Sequence, residues 1–266
     1  MKQRSHFFHF STAIFFTLSV PFAHATIVTK TVDYKDGDTV LEGKVSYDDS
    51  IKAKRPGIVV VHEWTGLGSY VTSRIEKLAR LGYVAFAADI YGKGVRPANP
   101  KDAGATAAIY KNNRPLLRKR VELALDELKK QAHVDTSKLA AMGYCFGGTT
   151  ILELARSGAD LKGFVSFHGG LSTPTPEDAK NIKGEILAFA GADDPFVDTK
   201  EVEGFEKEMR DGHVKHWELV KFGNAVHSFT NPEAGNDNSK GAAYNQEADF
   251  KSWDGMKAFF ERIFKS

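Results

Sequence analysis

A short glycine-bounded stretch, Gly143 to Gly148, constrains the fold of this 266-residue chain more than any other feature. It follows the apolar run Leu139 to Met142 and precedes the helical pattern Thr149 to Arg156. A strand, a sharp turn and a helix in this order are typical of a nucleophile elbow, whose central side chain projects above a sheet. The central residue is Cys145, the single cysteine of the chain. Since free cysteines are often buried as small apolar residues, the pattern taken alone leaves a packing role as an equal alternative.

The first 25 residues have the layout of a secretory signal peptide. A basic start precedes a largely apolar run over residues 7–20, and the segment ends in Ala23-His24-Ala25. The apolar run is shorter than a helix needs to cross a bilayer comfortably. We therefore expect cleavage after Ala25, a periplasmic or secreted mature protein, and no stable membrane association afterwards. A retained anchor is the alternative.

The charge balance excludes a nucleic-acid-binding role. Two of the 36 basic residues and none of the 34 acidic residues lie in the first 25 positions, so that the mature chain is formally neutral. No basic arm or basic patch with interleaved aromatic residues is present, and we expect no nucleic-acid partner. The single cysteine excludes an intrachain disulfide, although export implies an oxidising compartment.

Strand and helix patterns alternate over residues 26–266. The runs Thr26–Tyr34 and Thr39–Tyr47 predict an antiparallel entry hairpin. Apolar runs then predict buried strands at Gly57–His62, Val84–Ile90, Leu139–Met142, Gly163–Phe167, Glu185–Ala190 and Lys215–Phe222. Amphipathic patterns predict helices at Tyr70–Leu81, Leu117–Leu128, Thr149–Arg156, Lys200–Arg210 and Phe250–Phe264. This alternation predicts a single α/β domain over residues 26–266, with a mostly parallel sheet covered by helices on both faces.

Chemically capable side chains follow four of the predicted strands. They are Cys145, the pair Asp193-Asp194, His227 and the segment His62-Glu63-Trp64. Ligands of open α/β sheets bind at the carboxyl ends of the strands, where these residues are expected to lie. Their order along the chain is nucleophile, acid and histidine, which is the order of α/β-hydrolase triads.

In this interpretation the thiolate of Cys145 attacks an acyl carbon, and His227 takes up or returns the proton. A carboxylate fixes the tautomer of the imidazole and stabilises its charged form. The backbone N–H groups of Phe146 and Trp64 are the candidates for binding the oxyanion. The N-terminus of the helix after Cys145 favours the thiolate, whereas the carboxylate of Glu63 opposes it.

Each candidate also has a structural interpretation. Asp193 and Asp194 are both placed to cap the following helix. We choose Asp194 because it directly precedes a proline, and Asp193 is the alternative. His227 taken alone is typical of a surface histidine. His62 and His168 also end strands, and we interpret both as structural.

The motifs around these candidates resemble those of the dienelactone hydrolase family. They are Gly143-Tyr144-Cys145-Phe146-Gly147-Gly148, Val60-Val61-His62-Glu63-Trp64-Thr65-Gly66, Ala88-Asp89-Ile90-Tyr91-Gly92, Gly191-Ala192-Asp193-Asp194-Pro195-Phe196-Val197 and Ala225-Val226-His227-Ser228-Phe229. The similarity runs from about Tyr34 to the C-terminus. The resemblance implies an α/β-hydrolase fold.

The resemblance also implies a Cys-His-Asp triad formed by Cys145, His227 and Asp194. It implies that Glu63 partners the resting thiol and moves away when substrate binds. It further implies a small-molecule ester or lactone as substrate and no metal or organic cofactor. The family's best-known activity opens an unsaturated lactone that bears a carboxylate.

One position departs from the family pattern. Family members that bind this carboxylate place an arginine four residues after the histidine, where this chain has Asn231. A neutral amide loses the charge-assisted bidentate contact. Arg96 and Arg114 are candidates for compensation, and Asn231 and Tyr91 are the substrate-binding candidates. The sequence therefore supports hydrolase chemistry without supporting dienelactone as the physiological substrate.

The sequence predicts a hydrolase of esters or lactones that acts through an acyl-thiol on Cys145. Two alternatives remain. The first is a binding or sensor protein that uses the same pocket without turnover. The second is a thiol redox protein, although the chain has no second cysteine to resolve an oxidised thiol.

Overall fold

A computed structural model describes residues 25–265 of the protein. The predicted signal peptide lies outside these residues except for Ala25, so that its cleavage and the predicted export stay predictions. Within residues 25–265, none of the helices is both long and apolar enough to cross a membrane.

In the described part of the chain, one sheet of eight strands forms the centre of the structure. The strands are β1 (Ile27–Asp36), β2 (Thr39–Asp48), β3 (Arg55–Val61), β4 (Val84–Ala88), β5 (Val134–Tyr144), β6 (Gly163–Phe167), β7 (Glu185–Gly191) and β8 (Trp217–Phe222). Their order across the sheet is β1-β2-β4-β3-β5-β6-β7-β8. Strand β2 runs antiparallel to both neighbours, and the remaining pairs are parallel. The entry hairpin and the mostly parallel sheet are confirmed.

Helices cover both faces of the sheet. They are α1 (Ser69–Arg80), α2 (Pro100–Lys111), α3 (Arg114–Lys129), α4 (Phe146–Arg156), α5 (Thr199–Asp211) and α6 (Gln246–Ile263). Because successive side chains of a strand point to opposite faces, β3 contributes to two apolar clusters. Val59 and Val61 pack with residues of α3, α4 and α5, whereas Ile58 and Val60 pack with residues of α1 and α6. The predicted α/β-hydrolase architecture is thus confirmed.

Asparagine side chains decide where three helices begin. The predicted helical region after residue 100 contains two helices, since Asn99 caps α2 and Asn113 caps α3 by accepting hydrogen bonds from backbone N–H groups. In the same way Asn245 accepts from the N–H of Ala248, so that α6 begins four residues before the predicted Phe250. These caps satisfy N–H groups that have no partner within the helix.

Candidate active site

Cys145 occupies the sharp turn between β5 and α4. Its φ of 55° and ψ of −116° lie in a region that side-chain-bearing residues seldom adopt, as expected at a nucleophile elbow. A Cβ on Gly143 would lie 2.2 Å from the carbonyl oxygen of Gly147, and one on Gly147 would lie 2.3 Å from that of Val61. The strand, the turn and the helix therefore approach this closely only because both positions are glycine.

The imidazole of His227 lies between the thiol and a carboxylate. Its Nε2 is 3.0 Å from Sγ of Cys145, and its Nδ1 is 2.8 Å from Oδ2 of Asp194. Asp194 is 5% exposed, and its Oδ1 accepts a hydrogen bond from the N–H of Phe196. The side chain of Asp193 is exposed to solvent, so that the structure places Asp194, rather than Asp193, against the imidazole.

The environment of His227 favours the imidazolium. Burial of the ring disfavours the charged form, but the Cys145 thiolate and the Asp194 carboxylate outweigh it and raise the pKa of His227 to about 10. The phenyl ring of Phe196 contacts the imidazole edge to face, with the ring centres 5.3 Å apart, and is 62% exposed. The imidazole therefore lies within hydrogen-bonding distance of both the sulfur and the carboxylate.

The two backbone N–H groups that the sequence selected for binding the oxyanion belong to Phe146 and Trp64. Phe146 is the first residue of α4, and within residues 25–265 neither its N–H nor that of Trp64 has an acceptor. The carbonyl group of Trp64 accepts a hydrogen bond from the hydroxyl of Tyr91 over 2.9 Å. Tyr91 is buried and its ring packs against Phe146, so that its hydroxyl group holds the Trp64 loop in a fixed position relative to α4.

His62 holds the start of the same loop. Its Nδ1 donates to the carbonyl oxygen of Glu63 over 2.6 Å, and its Nε2 accepts from the N–H of Ile90 over 3.3 Å. Burial lowers the pKa of His62 to about 4, and the ring is therefore neutral at physiological pH. This position agrees with the structural interpretation of His62.

Within residues 25–265, the hydrogen-bond partner of the Glu63 side chain is Asn231 and not the thiol. Its Oε2 accepts a hydrogen bond from Nδ2 of Asn231 over 2.8 Å, while the hydrogen-bond partner of the Cys145 thiol is His227. In this arrangement the amide of Asn231 is the hydrogen-bond donor to the carboxylate, and the expected pairing of Glu63 with the resting thiol stays a prediction. Burial raises the pKa of Glu63, although the Asn231 hydrogen bond and the charge of His227 act against the rise.

The two arginines considered as replacements for an arginine at position 231 are engaged elsewhere. Arg96 donates to the carbonyl groups of Leu67, Gly92 and Val95 and thereby fixes the loop after β3. The side chain of Arg114, at the N-terminus of α3, lies near Ser172 and Glu153. Neither guanidinium takes the place of the family's arginine.

A second histidine lies behind the thiol. Nδ1 of His168 accepts the N–H of Cys145 over 3.1 Å, so that its Nε2 carries the proton and donates to Oγ1 of Thr230 over 2.7 Å. Thr230 in turn hydrogen-bonds Tyr70 over 2.6 Å. Arg74 donates to both Tyr70 and Thr230, and it pairs with Asp249 over 2.8 Å. This buried polar network joins the elbow to the loop that carries His227.

A cavity of about 320 Å³ opens beside these residues. Its walls are the loop after β3, the first turn of α1 and the loop after His227. Glu63, Trp64, Ser228 and Asn231 are among the residues that line it. No group of three or more His, Cys, Asp and Glu side chains suited to a metal ion occurs in the part of the chain that the structure describes.

Comparison with known proteins decides the family. The model of the dienelactone hydrolase family matches residues 44–264. The chain belongs to the dienelactone hydrolase family. The chain is also similar to the solved structure of m3DLH, with 39% identity and a TM-score of 0.86 over 90% of this chain and 99% of that chain.

Two further relatives place this dienelactone hydrolase-family protein among hydrolases. A dienelactone hydrolase-like promiscuous phosphotriesterase, P91 from metagenomic libraries, is 40% identical with a TM-score of 0.84 over 90% of this chain and 99% of its own. A protein of Aquifex aeolicus (strain VF5) that is named a candidate carboxymethylenebutenolidase is 27% identical over 79% of this chain and 89% of its own. The protein is a hydrolase of the carboxylic-ester type.

The structure of this dienelactone hydrolase-family protein brings Cys145, His227 and Asp194 together and places Glu63 and Asn231 against each other. Sequence reasoning missed the network behind the thiol. The sequence placed His168 at the end of a strand and interpreted it as structural, but it did not indicate the contact with Cys145 that follows from β6 lying next to β5. Thr230 lies only three residues after His227, but nothing in the sequence indicates its partner.

Proposed function

We propose that this hydrolase cleaves a carboxylic ester or lactone through a Cys-His-Asp triad and an acyl-thiol intermediate. The observation that supports the proposal is the arrangement of His227, with Nε2 at 3.0 Å from Sγ of Cys145 and Nδ1 at 2.8 Å from Asp194. A nucleophile, a proton carrier and an orienting carboxylate within hydrogen-bonding distance are the requirements of acyl transfer.

In the first half of the reaction, the thiolate of Cys145 attacks the acyl carbon and forms a C–S bond. The carbonyl oxygen becomes an oxyanion, which the N–H groups of Phe146 and Trp64 stabilise. The imidazolium of His227 gives its proton to the leaving oxygen as the C–O bond breaks. The products of this half are an alcohol, or the free hydroxyl end of an opened lactone, and an acyl group on sulfur.

In the second half, a water molecule attacks the acyl-thiol and gives a proton to the neutral imidazole of His227. The C–S bond breaks, the carboxylic acid is released, and the thiolate–imidazolium pair is restored. Asp194 keeps the proton on Nδ1 and stabilises the charged ring. Glu63 and Asn231 form one wall of the cavity, and Tyr91 fixes the Trp64 loop, so that these three residues position substrate rather than exchange protons with it.

The site of action is proposed as the periplasm or the extracellular space, on the basis of the signal-peptide pattern in residues 1–25. No metal or organic cofactor takes part in the proposed steps. The substrate is a small molecule, since the cavity of about 320 Å³ matches groups of this size.

A kinetic screen of the mature protein tests the proposal. Lactones, aryl esters and thioesters are assayed with wild type and with Cys145→Ala, and neutral phosphotriesters are added because the relative P91 is named a phosphotriesterase. We expect turnover of esters or lactones by wild type and none above background by Cys145→Ala. Wild-type rates in the variant would contradict the role of the sulfur.

The same screen separates the alternatives. A protein that retains a ligand tightly but releases no product across the panel would be a binding or sensor protein. Rapid consumption of peroxide coupled to an external thiol would indicate a redox role, which needs a second thiol from outside this chain because Cys145 is its single cysteine.

A further inference from the structure

The cavity of about 320 Å³ lies between the loop after β3 and the loop after His227, and its charge bears on which substrates enter it. Two of the lining residues are acidic, Glu63 and Glu233, and no lysine, arginine or histidine lines the cavity. Glu233 is exposed at the end of the loop that follows His227, and its backbone N–H donates to Oδ1 of Asn231. Asn231 therefore hydrogen-bonds the side chain of Glu63 and the backbone of Glu233.

The arginines behind the cavity wall do not offset these carboxylates. Arg74 contacts the wall through Tyr70, but its guanidinium pairs with Asp249 over 2.8 Å. Arg96 fixes the loop after β3 and lies 3.6 Å from Glu42 and 3.8 Å from Asp89. Each guanidinium is already balanced by at least one acid of its own.

The triad adds no positive charge to the balance either. The imidazolium of His227 faces both the thiolate of Cys145 and the carboxylate of Asp194, so that these three groups together carry one negative charge. An anionic group in the cavity would thus meet two acidic residues on the lining and no neutralising base there.

One lining side chain suits a cation. Trp64 is 38% exposed and is one of the residues that line the cavity, directly after Glu63 in the chain. An aromatic face and a carboxylate both attract an ammonium group. Neutral apolar groups are also accommodated by the ring.

We propose that this cavity selects esters and lactones whose substituent is neutral or cationic and excludes those that bear a carboxylate. The inference rests on the proposed function and adds its substrate class. It sets this protein apart from the opening of a carboxylate-bearing lactone, the activity that the family resemblance first suggested.

Three matched esters test the proposal through turnover. They are the butyrate esters of benzyl alcohol, para-carboxybenzyl alcohol and para-(trimethylammonio)benzyl alcohol, which differ mainly in the charge of one remote group. We expect kcat/KM for the carboxylate ester to be at least about tenfold below that of the neutral ester, since like charges placed together are strongly disfavoured. The cationic ester should equal or exceed the neutral one. Equal or faster turnover of the carboxylate ester would overturn the inference.

Binding measurements keep the inference separate from the proposed chemistry. The corresponding butyryl amides, which resist hydrolysis, are titrated against Cys145→Ala, with the fluorescence of the tryptophans as the signal. The carboxylate amide should bind at least about tenfold more weakly than the neutral amide. If the neutral amide binds in preference but no ester is cleaved, the charge selection stands and the proposed function fails.

Glu233→Gln removes one of the two charges and serves as the decisive variant. The Kd of the carboxylate amide divided by the Kd of the neutral amide should fall severalfold in this variant. Glu203→Gln, on the exposed face of α5, should keep the wild-type ratio. A ratio that is the same in Glu233→Gln as in wild type would show that Glu233 does not select by charge and would contradict the proposal.

Discussion

Oδ2 of Asp194 lies 2.8 Å from Nδ1 of His227, whereas the side chain of the preceding residue, Asp193, points into solvent. The chain turns directly after β7, and the N–H of Asp193 donates to the carbonyl group of Ala225. This turn separates two identical side chains, so that one is buried beside the imidazole and the other is exposed. The pair therefore provides a matched test of the carboxylate's role.

Asp194→Asn should lower kcat by roughly 10²–10⁴-fold, because an amide donates where the carboxylate accepts and so favours the wrong tautomer of His227. Asp193→Asn should keep the wild-type kinetics. Both variants are compared by kcat and KM on the same ester, with circular dichroism as the check on folding. Equal losses in the two variants would point to a structural effect of the turn rather than to catalysis.

The high pKa of His227 makes a second prediction. Burial of the ring lowers this pKa, and the negative charge of the Cys145 thiolate is the largest effect that raises it. In Cys145→Ala the pKa should fall from about 10 by at least about one pH unit, the usual effect of removing a close opposite charge. Nitrogen-15 NMR of the imidazole across pH measures it directly. An unchanged value would mean that the thiol is not ionised beside the ring.

Glu63 predicts a change in stability with pH. Burial raises the pKa of its carboxyl group above the ordinary value of 4.5. Between the ordinary pKa and the raised pKa, the folded protein binds more protons than the unfolded chain. Stability contributed by this group is therefore lost as pH rises through that window. Glu63→Gln, whose amide oxygen still accepts from Asn231, should remove this loss. Its free energy of unfolding relative to wild type should be higher at pH 8 than at pH 4 by on the order of 1 kcal/mol.

Urea unfolding of wild type and Glu63→Gln at both pH values gives the difference, and Glu203→Gln is the exposed control. The difference between wild type and Glu63→Gln should grow with pH. A constant difference would indicate that Glu63 titrates alike in the folded and unfolded states.

The network behind the thiol gives a further prediction. Thr230→Val removes the hydroxyl that receives the Nε2 proton of His168 and that bonds Tyr70. Leaving these buried groups unpaired should cost about 1–3 kcal/mol of stability. It should also lower kcat more than it raises KM, because His168 is one of two acceptors of the Cys145 N–H, together with the carbonyl oxygen of Phe167, and so helps to fix the elbow. Thr136→Val, at an exposed position of β5, is the matched control and should change neither quantity.

The features that the sequence predicted correctly are local. The elbow is specified by glycines two residues on either side of Cys145, and the buried strands are specified by continuous apolar runs such as residues 57–61. The approach of His227 to Cys145, 82 residues apart, could be predicted because both lie at the carboxyl ends of parallel strands. The sheet topology thus predicted a contact that no local sequence pattern indicates.

The features that the sequence did not predict depend on contacts between distant side chains. Glu63 and Asn231 are 168 residues apart, and His168 and Thr230 are 62 residues apart. Each pair has many possible polar partners, and no periodicity or spacing selects among them. The family resemblance placed Glu63 on the thiol, but the amide that replaces an arginine at position 231 binds that carboxylate instead.

The role of Cys145 as nucleophile is tested most directly by trapping the acyl group. A good ester from the screen is mixed with enzyme, quenched in acid during turnover, and the protein is digested and analysed by mass spectrometry. We predict one acyl group on the peptide that contains Cys145 in wild type, removed by hydroxylamine, and none in Cys145→Ala. An acyl group on any other residue, or wild-type turnover by Cys145→Ala, would contradict the account.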